Sequence, residues 1–114
     1  VASNSLYGGT YNLLSNTLPR FGITTTFVDP DDPTEFTKAV KSNTRAFFAE
    51  SLGNPKLDVL DLKAISESAK KAKVPFIVDN TVASPALLNP IEHGANIVIH
   101  SLTKYLTGNG TSMG

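Results

Sequence analysis

Two kinds of apolar run alternate along this chain, and that alternation constrains the fold more than any other feature. Short runs at residues 23–28, 45–50, 76–78 and 97–99 are β-branched, aromatic or continuously apolar, and they predict four strands. Helical spacings lie between them. Tyr11, Leu14, Leu18 and Phe21 form one apolar stripe that Gly22 ends, with Pro19 bending or shortening its last turn. Asp32 before Pro33 reads as a cap followed by proline at the first helical position, with Phe36 and Val40 on one face. Leu62, Ile65, Ala69 and Ala72 repeat the stripe behind Asp61 as a cap, with Lys70, Lys71 and Lys73 at the negative end. A last short turn over residues 87–92 ends at Gly94. Helices and strands in this order predict an α/β fold, a mostly parallel sheet flanked by helices that cover both of its faces.

The chain has 114 residues, one domain's worth, with ten basic and ten acidic side chains. Zero net charge argues against nucleic acid or a charged membrane surface as partner. With no cysteine and only His93 and His100, thiol chemistry is excluded and a histidine metal site has too few ligands. No apolar run is long enough to span a bilayer and no signal peptide opens the chain, so a soluble, cytoplasmic setting is expected. Its ends carry no cap or turn chemistry, as in an internal piece of a longer protein.

Open parallel sheets bind ligands outside the carboxyl ends of their strands, and polar residues collect there. The run at 45–50 leads into Glu50-Ser51-Leu52-Gly53-Asn54-Pro55, the run at 76–78 into Asp79-Asn80-Thr81, and the last into His100-Ser101-Leu102-Thr103-Lys104-Tyr105. Lys104 is either a solvated lysine or, in an apolar site, a base or Schiff-base nucleophile beside hydroxyls that could hold a phosphate. Asp79 is a helix cap, a metal ligand or a counter-ion; a pyridinium nitrogen needs such a carboxylate. His100 reads as a hydrogen-bonded structural residue. The cluster Asp29, Asp31, Asp32 reads as a turn and a cap.

These segments, together with Leu6-Tyr7-Gly8-Gly9-Thr10-Tyr11, occur in one order over essentially the whole chain. They resemble the Cys/Met-metabolism family of pyridoxal-phosphate enzymes. Tyr-Gly-Gly-Thr-Tyr, Asn-Pro-Lys-Leu-Asp-Val and Pro-Ile-Glu-His-Gly-Ala are most similar to its O-acetylhomoserine sulfhydrylase branch. The resemblance implies an aminotransferase-like, fold-type I architecture, with residues 1–114 the central part of the cofactor-binding large domain. Carried over by position, Lys104 is the lysine that bonds pyridoxal 5'-phosphate, and Asp79 pairs with the ring nitrogen. Tyr7 stacks on the ring and assists proton transfer, Asn54 lies near the phenolic oxygen, and Ser101 and Thr103 belong to the phosphate cup. Thr107, Asn109 and residues 86–89 depart from the usual pattern. The N-terminal arm, an upstream phosphate loop and the C-terminal domain with its substrate-carboxylate arginine are not in this chain. The implied activity is γ-replacement on O-acetylhomoserine by a homo-oligomer, a tetramer built of dimers that share active sites. A γ-lyase or a cystathionine synthase or lyase is the alternative. The 114 residues alone are expected to be inactive.

Overall fold

Five strands form the sheet, one more than the apolar runs announce. The computed structural model describes residues 1–114. The strands are β1 (Ala2–Ser3), β2 (Phe27–Val28), β3 (Phe47–Glu50), β4 (Phe76–Asp79) and β5 (Ile97–Ile99). All pair parallel, in the order β2-β1-β3-β4-β5. β1 went unread because two residues, Ala2 and Ser3, carry no periodicity; its pairing with β2 and β3 makes it a strand. The run at 23–28 contributes only Phe27 and Val28 to the ladder.

Register decides which side chains form the core. Phe47 pairs with Phe76 and Ala49 with Val78, so these four share a face, and all are fully buried. Against them pack Phe36 from α1 (Thr34–Lys38) and Leu62, Ile65 and Ala69 from α2 (Leu62–Ala72). The Phe36 and Phe47 rings lie 5.4 Å apart. Each fully buried phenylalanine contributes about 1.5–3 kcal/mol. Asp61 accepts from the Ala64 N–H at 3.0 Å, capping α2 as expected. Asp32 takes the Thr34 N–H, and Asp29 closes a turn with Asp31. Val40 lies beyond the end of α1 and is exposed, so it does not share the buried face with Phe36.

The opposite face is covered less completely. The stripe from Tyr11 to Phe21 is not one helix. It is an α-turn (Gly8–Asn12), a π-turn (Leu13–Thr17) and a 3₁₀-turn (Leu18–Phe21) that Gly22 ends at φ 77°. The changes of pitch and Pro19 break the stripe's period, and none of its members is buried. Tyr11 stacks on Phe27 at 4.5 Å, over the β2 side of the sheet. Coverage of both faces fails at β5, an edge strand where Ile97 and Ile99 are 47% and 43% exposed. The short turn expected over 87–92 is split by extended Leu88 and Asn89 into Ser84–Leu87 and Pro90–His93. No helix is long and apolar enough to cross a membrane.

Strand order reverses direction between β1 and β3, so a crevice opens beyond their carboxyl ends and those of β4 and β5.

Candidate active site

That crevice holds a cavity of about 470 Å³, and Tyr7, Asn54, Asp79, Ser101, Thr103 and Lys104 all line it. They arrive from four strand ends. Tyr7 follows β1, Asn54 follows β3, Asp79 closes β4, and the other three lie on the turn after β5. The volume suits a small-molecule site, which commonly spans ~300–1,000 Å³.

Asp79 is neither a helix cap nor part of a metal cluster. Its Oδ1 accepts from the Thr81 N–H at 2.9 Å and from the Thr81 hydroxyl at 2.5 Å, while Oδ2 accepts nothing. The same Thr81 oxygen accepts the Ser101 N–H at 2.8 Å, joining the ends of β4 and β5. Glu50 also lines the cavity and takes the Tyr7 N–H at 2.7 Å. Burial, with Asp79 and Asp58 nearby, pushes its carboxyl up to about 7. Neither Thr81 nor Glu50 had been assigned a role from sequence. The sequence marks Glu50 as an acid that closes an apolar run, but its register with Asp79 and its bond to Tyr7 appear only in the fold.

Lys104 does not sit in an apolar site. Its side chain is exposed and unpaired, on the turn that follows edge strand β5. Tyr7 is 56% exposed, its ring lying back over Gly9, where a Cβ would stand 2.6 Å from a ring carbon. The Ser101 hydroxyl is free, whereas the Thr103 hydroxyl exchanges hydrogen bonds with Gly114. His100 Nδ1 is buried without a partner, against the expectation of a hydrogen bond. The Asn54–Pro55 peptide is cis.

The set fits a phosphorylated pyridine aldehyde. It offers one carboxylate oxygen free, one amine unpaired, one aromatic ring presented to the cavity and a free hydroxyl beside the amine. The five-stranded parallel sheet flanked by helices is consistent with the fold-type I architecture of pyridoxal-phosphate enzymes. The family model for Cys/Met metabolism PLP-dependent enzymes matches residues 1–114, and the chain belongs to that family. It is 61% identical over its whole length to the O-acetyl-L-homoserine sulfhydrylase of Leptospira meyeri, of which it covers 26%. It is 44% identical to the cystathionine gamma-lyase of Bacillus subtilis, covering 30% of that protein. A crystal structure of an O-acetylhomoserine (thiol)-lyase from Campylobacter jejuni, containing N'-pyridoxyl-lysine-5'-monophosphate, superposes with a TM-score of 0.96 at 46% identity. That match covers 98% of this chain and 28% of the other. The chain thus spans about a quarter of the length of the sulfhydrylase it matches.

Proposed function

We propose that this chain is the central part of the cofactor-binding domain of an enzyme performing γ-replacement on O-acetylhomoserine. Sulfide or a thiol would be the incoming group, and homocysteine or methionine the product. One observation carries the reading. Six residues expected to serve pyridoxal phosphate meet at one cavity, in a chain 61% identical to an O-acetyl-L-homoserine sulfhydrylase.

Bound pyridoxal phosphate supplies an electron sink for negative charge at the substrate α-carbon. Asp79, its Oδ1 fixed by Thr81, offers Oδ2 to a ring nitrogen and keeps it protonated. Lining the cavity, Tyr7 would offer an aromatic face to the ring, Asn54 an amide to the phenolic oxygen, and Ser101 and Thr103 hydroxyls to the phosphate. Lys104 Nζ would bond the cofactor and, freed as an amine when the substrate's amino group takes its place, would move the substrate's α-proton, a role suited to an amine with no competing ion pair. The working enzyme is read as a cytoplasmic homotetramer built of two dimers, a neighbouring subunit closing the exposed Tyr7 and Tyr105 side of the cavity.

The lyase reading has its own support in the 44% identity to a cystathionine gamma-lyase. Full-length enzyme given O-acetylhomoserine and sulfide should release homocysteine and acetate. Cystathionine cleavage without that replacement would favour the lyase. Borohydride reduction of the holoenzyme should leave the cofactor's mass on the peptide containing Lys104; label on Lys56 or Lys63 would overturn the assignment.

A further inference from the structure

We propose that Glu50 is the positioning residue for Tyr7: from the end of β3 its carboxylate holds the Tyr7 N–H and so sets the aromatic ring at the cavity wall. This deepens the reading above and rests on the cavity being the cofactor's.

Glu50 is 7% exposed yet forms no ion pair. Its one hydrogen bond is the 2.7 Å contact to Tyr7, across 43 residues of sequence. A buried acid ordinarily survives by pairing with a cation, and Glu50 has none within 4 Å. Instead, register sets Glu50 beside Asp79, carboxylate next to carboxylate. Holding an amide does not require that crowding, since a neutral glutamine would accept the same N–H. What an ionised acid adds is a stronger acceptor. Tyr7 is then located from two sides, its N–H by Glu50 and its ring by the bare Gly9 backbone.

The groups facing Glu50 make the hold sensitive to pH. Asp79 on β4 and Asp58 on the loop after β3 disfavour its ionised form, and the Tyr7 N–H favours it. Lys104 and Tyr105, from the turn after β5, line the same cavity. With a carboxyl pushed up to about 7, Glu50 is the acid below that pH and the carboxylate above it. The bond to Tyr7 therefore tightens as pH rises through about 7. A protonated ring nitrogen against Asp79 cancels one of the opposing charges, so ligand binding and Glu50 ionisation reinforce each other.

The test uses the full-length enzyme and Glu50→Gln, with pyridoxine 5'-phosphate as probe, which lacks the aldehyde and cannot bond Lys104. Between pH 6 and 8, wild-type affinity should rise about tenfold more than that of the variant, the factor that 1.4 kcal/mol represents. Hydrogen exchange of the apo-enzyme, corrected for intrinsic rates, should show Tyr7 gaining protection over the same range in wild type only. Glu50→Asp, which keeps the charge, should restore the pH profile with weaker binding. Identical pH profiles and identical Tyr7 protection in wild type and Glu50→Gln overturn the proposal. Should wild type fail to bind pyridoxine 5'-phosphate at either pH, the cofactor reading falls, and the apo-enzyme exchange decides Glu50 by itself. Should Glu50→Gln not fold, the wild-type exchange profile decides, and a flat one overturns the proposal.

Discussion

The two walls of the cavity are built by opposite means. At the ends of β3 and β4 nearly every polar group is spoken for. The Ser51 hydroxyl donates to Asn80 Oδ1 at 2.7 Å, and Asn80 Nδ2 donates to the Leu88 carbonyl at 2.8 Å. Both residues are buried, and Asp79 is fixed by Thr81. The wall after β5 is a turn with exposed Leu102, Lys104 and Tyr105, in which the lysine amine has no partner. The difference, seen in a chain that spans about a quarter of its relative's length, suits the chemistry proposed above. A carboxylate that must keep a ring nitrogen protonated works best when oriented before the ligand arrives. A lysine that first bonds a ligand and then moves a proton has to swing, so rigid packing would hinder it.

Lys104→Ala makes the sharpest test of that contrast and should have the largest effect. Turnover of the full-length enzyme should fall by about a thousandfold, the scale of a lost proton-transfer group. Stability of the apo-enzyme to urea should stay unchanged, because the amine makes no hydrogen bond. Asn80→Ala should do the converse, since the Ser51 hydroxyl and the Leu88 carbonyl lose their partners in a buried place. A loss of about 2–4 kcal/mol is expected from urea unfolding. Equal stability losses in the two variants would erase the distinction between the walls.

Which parts were legible in the sequence follows from the same contrast. Asp79 and Lys104 could be found because each follows an apolar run, and a run long enough to be a strand announces where its carboxyl end falls. Asp61 could be found because a cap acts within four residues of its own backbone. β1 could not, since Ala2 and Ser3 become a strand only through partners at residues 27, 28 and 48. The exposure of Lys104 was hidden for a related reason. Three apolar residues in β5 suggest burial on both faces, but edge position, a property of strand order, leaves that face bare. Glu50 and Thr81 act through contacts 43 and 20 residues away, which no local pattern encodes.

Asp79→Ala should come next in size and separates a cofactor partner from a merely structural turn. Removing a charge-assisted bond costs ~1.5–3 kcal/mol, so cofactor affinity should fall by about one to two decades, with turnover falling alongside. Fluorescence titration of the full-length apo-enzyme with pyridoxal phosphate measures the first and steady-state kinetics the second. Near-normal values for both would show that Asp79 serves only to accept from Thr81.

The smallest effect is expected where the walls are tied together. The Thr81 hydroxyl donates to Asp79 Oδ1 and accepts the Ser101 N–H, so one oxygen joins the ordered wall to the exposed one. Thr81→Val keeps the shape but removes both bonds, while the Thr81 N–H still reaches Asp79. With one carboxylate contact left, Asp79 stays in place but is oriented less firmly. Cofactor affinity should then drop by about fivefold, the factor for roughly 1 kcal/mol of lost hydrogen bonding. The Ser101 N–H loses its acceptor, so hydrogen exchange across residues 101–105 should quicken while that of residues 76–79 holds. Thr81→Ser, which keeps the hydroxyl, should restore both measurements. If the valine variant leaves exchange in the β5 turn unchanged, the two walls are independent, and the backbone bond from Asn80 to the Ile99 carbonyl is enough to align them.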